Sequence, residues 1–146
     1  ALDTLPGTWE VGLDSMKSFL AKEVLIDTSN IRLADGSGVS RYNLTSAAQL
    51  NSLLRWMYNS KYKDDFISTL PSGGQRNSTL EKRLTNEGDL VKAKTGGLSG
   101  VRNLAGYLRS RKYGDVAFSI LMNGYTDSSS RYTHVHDQIV KTVIYD

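Results

Sequence analysis

Apolar positions follow helical spacing near both ends and in the middle of the chain, and change to strand-like runs in its second half. Leu13, Met16, Phe19 and Leu20 recur on one helical face behind Thr8, a residue suited to an N-cap, so a helix is predicted from Thr8 to about Ala21. Residues 1–7, with Pro6 and Gly7, read as a leading loop. Asp27 to Asn30 should turn, Ile31 to Leu33 reads as a short strand, and Asp35 to Gly38 reads as a tight glycine-rich loop. Ser46 opens the clearest helix. Its hydroxyl and the Gln49 side chain have the spacing of a reciprocal capping box, and Leu50, Leu53, Leu54 and Met57 then form one stripe. Ser78 and Glu81 repeat the capping spacing ahead of a short predicted helix.

From Leu90 the period changes. Strands are predicted near 90–97, 101–108 and 116–123, the second and third joined by a turn in "RSRKYGD". The third, "VAFSILM", is the most apolar and is expected to be central or buried on both faces. Ser128 begins a final helix in which Val135, Ile139 and Val143 recur every four residues. Short links between consecutive strands favour antiparallel pairing. The predicted class is therefore α+β, an antiparallel sheet packed with helices.

Composition narrows the function classes. The chain has 146 residues, 39% hydrophobic and 23% charged, which suits one globular domain rather than disorder. A net charge of +3, from 18 basic and 15 acidic residues without a long basic run, does not argue for nucleic acid. No apolar run approaches the roughly 18 residues of a membrane span. The absence of cysteine excludes disulfides, thiolate catalysis and thiolate zinc sites. The first residue is Ala1 and no signal peptide follows, which leaves the compartment open.

The stretch with the most chemistry is "VKAKTGGLSG", residues 91–100. On a regular strand, Lys94 and Gly96 point to one face and Thr95 and Gly97 to the other. An ammonium and a hydroxyl side by side can hold a carboxylate. Bare backbone at Gly96 and Gly97 lets a ligand lie against the strand, and an extended peptide can add to it as a neighbour. An amide N–H there can serve as an oxyanion donor, a contribution of roughly 2.7–4 kcal/mol where such donors have been removed. By itself Lys-Thr-Gly is short enough to arise by chance at a strand end with a solvated lysine.

Its neighbours add weight. "LADGSGVSRYNLTSAAQLNSLL" (33–54), "VKAKTGGLSGVRNLAGYL" (91–108) and "VAFSILMNG" (116–124) together resemble the C-terminal part of the D-alanyl-D-alanine carboxypeptidases of the class C low-molecular-mass penicillin-binding proteins. The likeness runs from about Gly7 to the end. It implies a penicillin-binding-protein/β-lactamase-like transpeptidase fold and a serine acyl-transfer site built from Ser-x-x-Lys, Ser-x-Asn and Lys-Thr-Gly. It implies a cell-wall stem peptide ending in D-Ala-D-Ala as substrate, β-lactams as ligands of the full-length protein, an extracytoplasmic bacterial location, and no metal or organic cofactor. Carried onto this chain, Lys94 and Thr95 would recognise the terminal carboxylate, Gly96 would permit close approach, and the Gly97 N–H would be one of two oxyanion donors.

In that family the serine and the Ser-x-Asn motif precede the matching segment. Residues 1–146 are accordingly expected to be the C-terminal part of the catalytic domain, without a nucleophile of their own, inactive alone, and prone to self-association through surface that the upstream part would cover. Local matches inside the chain do not replace those motifs. Ser60-Lys61-Tyr62-Lys63 fits Ser-x-x-Lys only at a charged helix end, and Thr28-Ser29-Asn30 fits a polar turn. Ser37 lacks the spacing of a nucleophile elbow. His134 and His136 are about 200° apart on a helix, cannot share a metal, and are expected at the surface or partly buried. Two other classes remain beside the enzyme portion: a non-catalytic module that binds cell-wall peptides through the same strand, and a structural piece without activity.

Overall fold

The computed structural model describes residues 7–146, so the loop predicted over 1–7 falls almost wholly outside the described residues. Two compact units divide at Trp56 and Met57.

In the first unit, α1 (Trp9–Lys22) starts where the Thr8 hydroxyl accepts from the Val11 N–H at 3.3 Å. No α1 residue is buried; Phe19 instead sets its ring edge-on to Trp56. Val24, Ile26 and Ile31 make a small core with Leu20, Leu33 and Leu53 packed on it. The strand expected over 31–33 is reduced to one bridge, Arg32 to Leu44. The reason is local. Asn43 Oδ1 accepts from the backbone N–H groups of Ala34 and Asp35 at 2.7 and 3.1 Å, closing the loop before a ladder can extend. Helix α2 (Ala47–Tyr58) opens with the predicted reciprocal cap: Gln49 Oε1 accepts from the Ser46 N–H at 2.9 Å, and Ser46 Oγ from the Gln49 N–H at 3.2 Å.

The second unit is built on a three-stranded antiparallel sheet in the order β1 (Val91–Leu98), β2 (Val101–Ser110), β3 (Gly114–Asn123). Leu98 pairs with Val101, so Ser99-Gly100 is a two-residue hairpin turn, with Gly100 at φ +70° where a side chain would be strained. β2, not β3, is central. Every β3 residue is at best half-buried, because β3 pairs on one side only among the described residues.

Helix α3 (Lys63–Ser68) was not anticipated from the pattern, whereas the helix expected after Ser78 is a series of turns. Ser78 Oγ donates to Gln75 O at 2.7 Å and accepts from the Leu80 N–H at 3.1 Å, so it is unavailable as a cap for Glu81. Asn77 and Leu84 adopt positive φ within these turns, and Leu80 and Leu84 are buried in the core at 0% and 3% exposure.

Helix α4 (Ser129–Tyr145) covers one sheet face. Its inward stripe is His136, Val140 and Ile144, packed with Val91, Ala93, Leu104 and Leu108. The expected stripe lay one residue away: Val135 and Ile139 are exposed, and only Val143 of that set packs against the core. His136 is thus fully buried rather than at the surface, while His134 is exposed.

Candidate functional site

The feature of β1 that bears on a site is its outer edge, since β1 pairs with β2 on its other side. The Ala93 N–H points away from β2 and donates to Pro71 O at 3.0 Å, and Ser72 bridges to Lys92. Hydrogen-bonding direction alternates along a strand, so the N–H and C=O groups of Thr95 and Gly97 also point outward. Beyond Ala93 no backbone group among the described residues pairs with that edge. The loop containing Pro71 thus closes the first half of the edge and leaves Thr95 to Gly97 open.

Register fixes which side chains share each face. Thr95, Gly97, Arg102 and Leu104 lie toward α4; Lys94, Gly96, Asn103 and Ala105 lie on the opposite face. This is the alternation expected from the sequence. The two lysines of the Lys94 face differ in partners. Lys92 Nζ donates to Ser72 Oγ at 2.7 Å and pairs with Asp89 at 3.0 Å; Ser72 and then Lys92 hold the Asp89 carboxyl below its ordinary range. Lys94 is exposed, forms no ion pair among the described residues, and reaches round to the open edge, where its ammonium donates to Thr95 O at 2.9 Å. A carboxylate arriving at the edge would meet an ammonium without an acidic partner.

Close approach is built into the tip. A Cβ added at Gly96 would only touch Asn103 Cβ, at 3.4 Å, but one at Gly97 would overlap Arg102 Nη1 and lie 3.2 Å from its Cζ. Arg102 Nη2 donates to Ser129 Oγ at 3.0 Å. A cavity of about 570 Å³ adjoins this tip, lined by Gly97, Ser99, Arg102, Tyr125, Asp127 and Ser129. A second, of about 500 Å³, lies at the other end of β1 around Lys92, Glu87, Tyr107 and Asp115. Burial there, and next the neighbouring Tyr58, push the Tyr107 hydroxyl up to about 12, so it is a neutral phenol. Lys94 lines neither cavity; it stands on the open edge between them.

The local matches rejected on sequence grounds have structural partners of other kinds. Ser60 Oγ donates to Met57 O at 2.9 Å, while Lys63 Nζ sits 3.7 Å over the Tyr58 ring, so the two do not form a serine–lysine couple. Residues 28–30 are a turn held by Asp27 Oδ1, which accepts from the Ser29 N–H at 2.9 Å. Ser37 Oγ accepts from the Val39 N–H in an exposed loop. No cluster of metal-ligating side chains forms among the described residues. Arg102 was missed in the sequence because an arginine in a strand carries no motif; its register position opposite Gly97 is visible only once β1 and β2 are paired.

Comparison with known proteins agrees with the resemblance. A profile described as the D-Ala-D-Ala carboxypeptidase 3 (S13) family matches residues 1–143. A D-alanyl-D-alanine carboxypeptidase from an Actinomadura species is 36% identical over 82% of this chain and 23% of its own length. D-alanyl-D-alanine carboxypeptidase DacB of Haemophilus influenzae is 36% identical over 83% of this chain and 26% of its own. The chain therefore spans about a quarter of the curated relatives it matches. Among solved structures, penicillin binding protein 4 (dacB) from Haemophilus influenzae, complexed with a β-lactam, superposes with a TM-score of 0.85 at 28% identity, covering 99% of this chain and 35% of that one. A predatory endopeptidase from Bdellovibrio bacteriovorus shares the fold at 23% identity and a TM-score of 0.73, over 92% of this chain and 38% of that chain. By its profile match and its relatives, the chain belongs to the D-Ala-D-Ala carboxypeptidase 3 (S13) family.

Proposed function

We propose that residues 1–146 are the C-terminal part of a serine-type D-alanyl-D-alanine carboxypeptidase domain, and that the open edge of β1 is its substrate strand. The observation that carries this reading is the coincidence, on an edge left open among the described residues, of a Lys94 ammonium without an acidic partner there and outward N–H groups at Thr95 and Gly97.

A stem peptide ending in D-Ala-D-Ala would lie along that edge as an added strand. Its terminal carboxylate would accept from Lys94 Nζ and the Thr95 hydroxyl, with Lys94 leaving Thr95 O for the stronger, charged acceptor. Gly96 lets the peptide backbone approach. The scissile carbonyl would then reach the Gly97 N–H, a donor whose value lies in being in place before charge develops on the oxygen. A serine hydroxyl from polypeptide preceding this chain would attack the carbonyl carbon, its proton passing through a base to the departing D-alanine amine. Water would hydrolyse the resulting ester. A β-lactam would acylate the same serine and be released slowly. Such a protein works outside the cytoplasmic membrane, and this chemistry needs no cofactor.

The test uses the longer protein that contains this segment. Incubation with penicillin should add one penicillin mass to a serine outside residues 1–146, and turnover of a D-Ala-D-Ala peptide should release D-alanine. Reversible peptide binding with neither adduct nor release would instead identify a binding module and overturn the enzymatic reading.

A further inference from the structure

We propose that Arg102 is a positioning residue for the Gly97 amide; the role rests on the reading of Gly97 N–H as an oxyanion donor. The tip of β1 has a design difficulty. Two consecutive glycines remove the side chains that would normally hold a strand by packing, and glycine backbone is the most easily displaced. Yet a donor that stabilises developing charge must stay in place, since a misplacement of about 1 Å can cost on the order of a hundredfold in rate.

Arg102 supplies the missing support. It is the register partner of Gly97, on the same face, and its guanidinium occupies the space where a Gly97 side chain would begin. The far end of that guanidinium is tied to Ser129 Oγ at 3.0 Å, at the first residue of α4. Helix α4 is in turn seated in the core through Val140 and Ile144, at 1% and 0% exposure. Arg102 is therefore a brace from a core-seated helix to the α4-facing side of Gly97. Removing it would merge its volume with the cavity of about 570 Å³ beside it and leave Gly97 backed by open space. Gly96 has no such neighbour: its added Cβ would meet Asn103 in ordinary contact. The bare position at Gly97 thus serves Arg102 as well as the ligand.

The experiment measures kcat and KM on a D-Ala-D-Ala peptide, the acylation rate with a β-lactam, and the melting temperature, in the longer protein. Variants are Arg102→Ala, Arg102→Met (which retains most of the packing stem), Gly97→Ala and the Gly97→Ala/Arg102→Ala pair. Both Arg102 variants should lower kcat and acylation about ten- to hundredfold while KM stays within about twofold. Gly97→Ala should also lose kcat, because its methyl group displaces the guanidinium. The double variant should lose less than the product of the single losses, since the methyl then fills vacated space. Unchanged kcat in both Arg102 variants, a parallel change in kcat and KM, or strictly multiplicative losses would each overturn the role. The underlying reading fails separately: it falls if the wild-type protein neither turns over peptide nor acylates, or if Lys94→Ala has full catalytic efficiency.

Discussion

Gly106 offers a test of how β1 is held, because its substitution acts on the strand from behind without touching the open edge. Gly106 pairs with Ala93, the residue before Lys94. A Cβ there would overlap the Lys92 carbonyl oxygen, and lie 2.7 Å from Ala93 Cα and 3.0 Å from Ala93 Cβ. Two of those atoms are backbone and cannot swing aside. Carbon atoms settle at about 3.5–4.0 Å, so Gly106→Ala requires β1 to withdraw from β2 by about 1 Å. Overpacking of this kind costs about 1–3 kcal/mol. The same shift would carry Lys94 and the following amides out of line, for a rate loss on the order of a hundredfold. Denaturant unfolding of this chain reads the first effect, and the β-lactam acylation rate of the longer protein reads the second. Stability within about 0.5 kcal/mol of wild type would refute the packing argument. A destabilised variant that acylates at the normal rate would refute the placement of the site on β1.

Lys94→Ala in the longer protein should weaken the contact with the substrate carboxylate by about 1.5–3 kcal/mol, or roughly ten- to hundredfold in kcat/KM, and an unchanged value would remove Lys94 from the site. His136 yields a pH dependence. Burial, and next the Arg83 guanidinium, hold its imidazole below the ordinary value, and its Nε2 has no hydrogen-bond partner among the described residues. The unfolded chain takes up this proton below about pH 6.5 while the folded chain resists, so stability should be full above that pH and fall below it. His136→Gln should flatten the acid side of a melting-temperature profile between pH 5 and 7; an unaltered slope would contradict this. This chain alone should show no covalent penicillin adduct by intact mass. The exposed Val135, Ile139, Met16 and Trp9 should make it self-associate in light scattering, and a strict monomer at high concentration would count against that.

What could be read from the sequence was whatever rests on local chemistry. The Thr8 cap, the Ser46–Gln49 box and the strand periods depend on residues close in the chain, and each is present. What failed was decided by which of several possible partners each residue takes, some of them near in the chain and some distant. VAFSILM is the most apolar strand, but which strand is central is decided by pairing order, and β2 lies between its neighbours. On α4 two apolar stripes one residue apart have the same period, and the choice between them was made by the sheet: His136 points inward because Val140 and Ile144 do. The second capping spacing, at Ser78, failed because Gln75 and Leu80 claim the hydroxyl first. At the candidate site, the sequence singled out Lys94 to Gly97 as candidates, and the alternation expected of them is present in the register. It did not reveal that Pro71 closes the edge at Ala93, or that the Arg102 guanidinium fills the side-chain position of Gly97, because both contacts exist only once the strand has its neighbours in place.

The most direct measurement is a crystal structure of the longer protein acylated by a β-lactam. The account predicts the ligand carboxylate within hydrogen-bonding distance of Lys94 Nζ and Thr95 Oγ1, and the acyl carbonyl oxygen on the Gly97 N–H, with the ester on a serine outside residues 1–146. An acyl group whose carboxylate is held elsewhere, with the Thr95–Gly97 edge vacant or occupied by another strand of the same protein, would contradict it.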